Sequence, residues 1–157
     1  MSWALDPESL AVVVEAAARL SPAVAVEYGS GRSTPVLAGH VGHLISLEGD
    51  KRWWQVTSMR LTRAGVENVE LRLCRLRLGT YDTDLPDGVG FALIDGPRIR
   101  EGRSRTLPQL WPHLTGDAVV FVDDLHHRRV AGWVRGWERS LRCRVVPVSE
   151  RLAMVTR

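Results

Sequence analysis

Val24-Ala-Val-Glu-Tyr-Gly-Ser-Gly-Arg-Ser-Thr34, with Ile45-Ser-Leu-Glu48 shortly after it, decides how this chain folds. An apolar strand runs into a tight turn at Gly29 and Gly31, where the missing Cβ lets backbone N–H groups approach a ligand. Ser33, Thr34 and Pro35 open a helix, and a second apolar strand then ends in the carboxylate of Glu48. An acid about 20 residues past such a turn is where a Rossmann-like unit grips ribose hydroxyls. The pattern predicts a nucleoside-cofactor site.

Working outward, the elements alternate from end to end. Asp6-Pro7 caps and opens a helix to about Leu20, with Leu10, Val13, Val14, Ala17 and Leu20 on one side. Val24 to Glu27 and His43 to Leu47 are the first two strands. Asp50 caps a helix to about Ala64, stopped by Gly65, and Val69 to Leu73 is the third strand. Arg75 to Val89 reads as a loop, with Gly79, Pro86, Asp87 and Gly88 as turn signals. Gly90 to Ile94 is a wholly apolar strand, a helix covers about Ser104 to Leu110, and Gly116-Asp117 turns into the strand Ala118 to Val122. A helix from about Arg128 to Ser140 precedes two strands, Arg144 to Val148 and Leu152 to Thr156.

Short strands that are apolar throughout belong to a parallel sheet covered on both faces. The final connection is too short for a parallel crossover, so the last two strands form an antiparallel hairpin. The expected fold is a doubly wound α/β domain: a mostly parallel seven-stranded sheet, a C-terminal antiparallel hairpin, and helices on both faces. Residues 1–157 read as one domain, an N-terminal helix over 1–22 and a Rossmann-like core over 23–157.

Composition narrows the class further. No apolar run reaches the roughly 18 residues of a membrane span, and no basic segment leads into an apolar core at the N-terminus. Both absences point to the cytoplasm. The net charge is +3, carried almost entirely by arginine, with Lys51 the sole lysine. Arg72, Arg75 and Arg77 alternate with leucines as a solvated strand edge, while Arg98, Arg100, Arg103 and Arg105 share a loop that could meet an anionic substrate. Neither is the one-faced basic stripe of a nucleic-acid binder. Cys74 and Cys143 lie far apart, with neither zinc nor disulfide spacing.

Four predicted strand ends carry acids: Glu27, Glu48, Asp95, and Asp123 with Asp124. In such sheets ligands bind beyond those carboxyl ends. Here the chain resembles the class I S-adenosylmethionine-dependent methyltransferases. The resemblance spans nearly its whole length and rests on Glu27-Tyr-Gly-Ser-Gly-Arg-Ser-Thr34, Ser46-Leu-Glu48, Leu93-Ile-Asp-Gly-Pro97, Phe121-Val-Asp-Asp124 and the closing hairpin. It implies that Gly29, Ser30, Gly31, Ser33 and Thr34 lie against S-adenosylmethionine. It implies further that Glu27 holds the methionine ammonium, directly or through water, and that Glu48 takes the ribose hydroxyls. Asp95 would serve both cofactor and chemistry. Trp53 or Tyr81 could wall the adenine, with core packing the default for Trp53.

Dinucleotide binding is the competing reading. It asks for a third small residue where Thr34 stands and for no acid at Glu27, whose charge would repel a pyrophosphate. Methyl transfer to a hydroxyl needs an aligned nucleophile and a group to remove its proton. The resemblance extends to metal-dependent O-methyltransferases, in which Asp95, Asp123 and Asp124 would hold Mg²⁺ as hard oxygen ligands. Where that branch carries a lysine, this chain has Arg98, which cannot act as a base. His126 or His127 could take that role, or both are merely exposed loop residues. Without a metal, three clustered carboxylates need arginines beside them, with Arg98 and Arg128 available.

The expected function is therefore S-adenosylmethionine-dependent O-methylation of a small molecule, with Asp95, Asp123 and His126 at the chemistry. Two rivals stand beside it: a non-catalytic cofactor-binding subunit and a nicotinamide-dependent oxidoreductase. The acceptor pocket would come from the N-terminal helix, the Arg75 to Val89 loop, the Arg98 to Arg105 loop or a second copy of the chain. Trp133 and Trp137 share a helix face, as core packing or as a homodimer surface.

Overall fold

The structure is a computed structural model and describes residues 5–157; the first four residues of the expected domain lie outside the described range. In chain order the elements are α1 (Pro7–Leu20), β1 (Val24–Tyr28), α2 (Ser33–Ala38), β2 (His43–Glu48), α3 (Lys51–Ala64) and β3 (Val69–Leu73). A small hairpin follows, β4 (Arg75–Arg77) and β5 (Thr80–Asp82). Then come β6 (Val89–Ile94), α4 (Thr106–Leu110), a 3₁₀ turn at Trp111–His113, β7 (Leu114–Val122), α5 (Arg128–Leu141), β8 (Arg144–Pro147) and β9 (Ala153–Thr156).

Seven strands form one sheet in the order β3-β2-β1-β6-β7-β9-β8. β3, β2, β1, β6 and β7 are mutually parallel, whereas β9 runs antiparallel to both β7 and β8. Strand alternation sorts the apolar side chains into two cores. Ala25, Leu44, Phe91, Leu93 and Phe121 point to one face, where Val13 and Ala17 of α1 and Leu37 and Ala38 of α2 cover them. Val26, Tyr28, Ile45, Leu47, Ala92 and Ile94 point to the other, under Leu107 and Leu110 of α4 and Val130, Val134 and Trp137 of α5. Trp133 packs at the margin of this second core, so the shared tryptophan face of α5 is turned inward.

Two expected boundaries move. The stretch expected as loop holds the β4–β5 hairpin, turned through Leu78 and Gly79 with φ of 49° and 83°. Positive φ at both central residues marks the type I′ two-residue hairpin turn. β7 begins at Leu114 rather than Ala118, because its pairing with β6 shifts register between Val89 and Phe91 and carries Gly116-Asp117 inside the strand.

The order reverses between β1 and β6, which makes their carboxyl ends the crevice of the sheet. Glu27, Glu48 and Asp95 arrive there from β1, β2 and β6, and Asp123 and Asp124 follow β7 next door.

Candidate functional site

At the turn after β1, Gly29 has φ 91°, and a Cβ there would stand 3.0 Å from the backbone nitrogen of Gly96. Gly96 returns the constraint, since a Cβ on it would lie 2.8 Å from Gly29 Cα and from the Tyr81 hydroxyl. Two loops therefore touch backbone to backbone, and only glycine permits that. Gly31 differs: a Cβ there would meet nothing within 4 Å, so this side of the turn opens outward.

Alternation and register place Glu27 beneath the turn. It faces α2, its β2 neighbour is Ser46, and it is fully buried. Ser33 Oγ donates to one of its oxygens, while Thr34 Oγ1 and Ser46 Oγ donate to the other at 2.6 Å each. Thr34 Oγ1 also accepts from the Gly31 N–H at 2.9 Å, which ties the turn to the buried acid. Burial pushes the Glu27 carboxyl above its ordinary range, and the three hydroxyls pull the other way. Ser33 and Thr34 thus turn their hydroxyls inward to Glu27.

Glu48 collects four donors. Oε2 accepts from the N–H and hydroxyl of Ser30 at 3.1 and 3.0 Å, and Oε1 from the N–H groups of Gly49 and Asp50 at 2.8 and 2.9 Å. The Ser30 hydroxyl also lies 3.1 Å from Thr57 Oγ1. Asp50 caps α3 and forms an ion pair with Arg98 at 2.8 Å, so the loop after β6 reaches over to the start of α3. Trp53 is exposed on the first turn of α3 with Arg60 over its ring, not packed in the core. Tyr81 is buried, and its ring stacks on Tyr28 at a centroid distance of 6.1 Å. The hairpin that carries it covers Gly49, where a Cβ would meet Tyr81 Cε1 at 3.0 Å.

The second acid group is held quite differently. Asp95, Asp123 and Asp124 converge so that one carboxylate oxygen from each lies within 4.8 Å of the others. Arg151, in the turn between β8 and β9, sends Nε and Nη2 to the two oxygens of Asp123 at 2.8 Å each. Its Nη2 is also 3.5 Å from Asp124. Arg103 lies buried behind them. It donates to the carbonyls of Pro97 and Asp95, the latter at 2.9 Å, and to the Asp124 carboxylate at 3.1 Å. The arginines beside the acids are thus Arg103 and Arg151. Arg98 instead pairs with Asp50, and Arg128 stands exposed on the first turn of α5. Burial first, and then the charge of Asp123, drive the Asp95 carboxyl well above its ordinary range.

These arginines bear on the expected magnesium. Mg²⁺ demands oxygen ligands at about 2.0–2.1 Å in a near-ideal octahedron. Both oxygens of the fully buried Asp123 already accept from a guanidinium, and both of Asp124 face one. The donor set as arranged does not fit the ion. His126 is exposed, and His127 caps α5 by accepting from the Arg129 N–H at 3.3 Å.

A cleft of about 390 Å³ opens between the β4–β5 hairpin and α4, with Arg77, Thr80, Asp82, Arg105 and Gln109 in its wall. Two of the segments expected to shape an acceptor pocket meet there. Trp137 of α5 donates from Nε1 to the Ser104 carbonyl at 2.8 Å, which anchors the loop that carries Arg103. Among the described residues no helix is long and apolar enough to cross a membrane.

No family model matches the sequence, and no curated protein is similar to it. Solved structures are. A methyltransferase from Podospora anserina bound to S-adenosylhomocysteine superposes with a TM-score of 0.78 at 12% identity, over 98% of this chain and 80% of that one. An O-methyltransferase from Streptomyces achromogenes involved in tomaymycin synthesis, in complex with S-adenosylmethionine, gives 0.76 at 18% identity, over 98% and 81%. An rRNA methylase from Streptococcus thermophilus gives 0.71 at 17% identity, over 98% and 97%. The chain has the class I methyltransferase fold.

Proposed function

We propose that this chain is an S-adenosylmethionine-dependent methyltransferase acting on a small-molecule hydroxyl. One observation carries the reading: at the β1/β6 crevice a glycine turn stands over a buried acid and beside a second acid, Glu48, at the end of the neighbouring strand. A dinucleotide pyrophosphate would meet the Glu27 charge directly under the turn, whereas a ligand that carries an ammonium gains from it.

The fit to the cofactor rests on this chain's own groups. Glu48 is oriented by two backbone N–H groups on Oε1, which leaves the Ser30 hydroxyl on Oε2 as its exchangeable partner. A ribose hydroxyl takes that position, and Ser30 retains Thr57 as a neighbour. Gly31 offers the open side of the turn. Glu27 acts from below by its charge, while the Thr34 hydroxyl that donates to it accepts from the Gly31 N–H and fixes the turn above it. When bound, S-adenosylmethionine supplies the electrophilic methyl group. Asp95 at the end of β6 orients the acceptor, and His126, exposed two residues past Asp124, accepts its proton.

Calorimetry with S-adenosylmethionine and NAD in parallel, on wild type and Glu48→Ala, tests the reading. Selective binding of S-adenosylmethionine, weakened about tenfold or more by the substitution (1.4 kcal/mol per tenfold), is expected. Preference for NAD, or no binding of either, overturns it. A screen of hydroxyl acceptors then follows, with a strong salt dependence of acceptor binding as the mark of RNA.

A further inference from the structure

We propose that the acid cluster at the ends of β6 and β7 takes no divalent cation, because Arg151, braced by Arg103, occupies the cation's position within it. The topology builds this arrangement. β9 pairs antiparallel with β7 in the register Val122↔Ala153, so two steps outward that register sets Asp124 opposite Arg151. Leu125 N–H donates to the Arg151 carbonyl at 2.8 Å, one residue off that register, where the chain turns at Asp124 with φ 64°, and this bond holds the turn of the hairpin against the end of β7. The closing hairpin thereby delivers a guanidinium to the acids as a consequence of its own register.

Charge and geometry agree. Two guanidinium groups, of Arg103 and Arg151, stand against the carboxylates of Asp123 and Asp124, and the Asp95 carboxyl beside them is driven well above its ordinary range. The planar fork of Arg151 meets Asp123 through both oxygens at equal distances, the arrangement that a guanidinium forms best with a carboxylate. Asp123 is fully buried, so an ion would reach its oxygens only by expelling the fork. Asp6, the N-cap of α1, stands 3.7 Å from the same guanidinium and adds a fourth acid around it. An ion that displaced Arg151 would have to offset the loss of a largely buried, hydrogen-bonded charge pair. Proton removal from an acceptor then falls to protein side chains alone.

Manganese and magnesium binding to the cofactor-free chain decides the matter, independently of what the crevice binds. Free Mn²⁺ is counted by electron paramagnetic resonance, and Mg²⁺ is followed by calorimetry and thermal melting, on wild type, Asp123→Asn, Arg151→Ala, Arg151→Gln and Arg151→Ala with Asp123→Asn. Wild type is expected to bind neither ion saturably and to melt at the same temperature with millimolar Mg²⁺ or a chelator. Both arginine variants should gain a saturable site and an Mg²⁺-dependent rise in melting temperature, and the added Asp123→Asn should abolish both. Saturable binding by wild type that Asp123→Asn removes overturns the proposal. So does a folded Arg151 variant, of either kind, that gains no ion. Arg151→Gln keeps the stem and much of the packing, so the comparison survives if the alanine variant fails to fold. Loss of S-adenosylmethionine binding in the separate calorimetric test would leave this result untouched.

Discussion

Glu27 and Asp123 are both fully buried acids near the ends of parallel strands, yet their partners have nothing in common. Glu27 is surrounded by hydroxyls, from Ser33, Thr34 and Ser46. Asp123 is clasped by a guanidinium fork. Hydroxyls are neutral, rotate, and can hand a proton to another acceptor at little cost. A guanidinium brings fixed charge and fixed geometry. The β1–β2 side therefore holds its buried acid with neutral, rotatable partners and no cation from the hydroxyls around it. The β6–β7 side has already recruited its cations from the chain.

The comparison breaks first at Arg103. Its guanidinium serves the Asp95 and Pro97 carbonyls after β6 and the Asp124 carboxylate after β7, and its side chain is only 4% exposed. Arg103→Ala should cost about 3–5 kcal/mol in urea unfolding, since it strands buried acceptors and charge. A loss below about 1 kcal/mol would mean the acid cluster stands without its brace.

Next comes Glu27→Ala, which leaves three buried hydroxyls without their acceptor and should cost about 2–3 kcal/mol by the same measurement. Glu27→Gln sharpens the point through pH. A carboxyl whose folded pKa lies above its unfolded value holds its proton more firmly in the native state, so stability falls as pH rises through that window. Wild type should therefore gain stability from this group as pH falls from above its raised folded pKa toward the ordinary carboxyl value of 4.5, and Glu27→Gln should flatten that part of the profile. An unchanged slope would show that the hydroxyls, not burial, govern the group.

Gly29→Ala introduces strain at φ 91° and a contact at 3.0 Å with the Gly96 nitrogen, and should cost about 1–2 kcal/mol. Smallest of all is His126→Ala, expected to change stability by less than about 0.5 kcal/mol, as for other exposed positions. Its effect belongs to turnover: a fall in kcat with S-adenosylmethionine affinity intact places the residue at proton removal, and unchanged kcat removes it from that role.

Much of the β1–β2 side could be read from residues alone. β1, β2 and β6 carry almost unbroken apolar runs, and each delivers its acid at the strand end, where a parallel sheet binds ligands. The inward turn of Ser33 and Thr34 could not be seen there, because it depends on the depth of Glu27 under the loop. The β4–β5 hairpin hid because Leu78 occupies a turn position where asparagine or glycine would have signalled positive φ. Arg103 and Arg151 hid for another reason. In an arginine-rich chain a loop arginine looks like surface, and only spatial contact across 20 to 28 residues of sequence separates these two from the rest. One signal was present all the same. Once the closing hairpin is paired with β7, counting outward from Val122 brings residue 151 beside residue 124.

The bond from Trp137 to the Ser104 carbonyl gives the molecule a built-in optical reporter. An indole that donates a hydrogen bond from within an apolar core emits at wavelengths set by that enclosure. Any event that lifts the loop bearing Arg103 would wet the ring and shift its emission to the red. Among the described tryptophans Trp137 is the one whose indole N–H is bonded to that loop, so replacing it isolates the signal. Opening of that loop can thus be timed by fluorescence with no label attached.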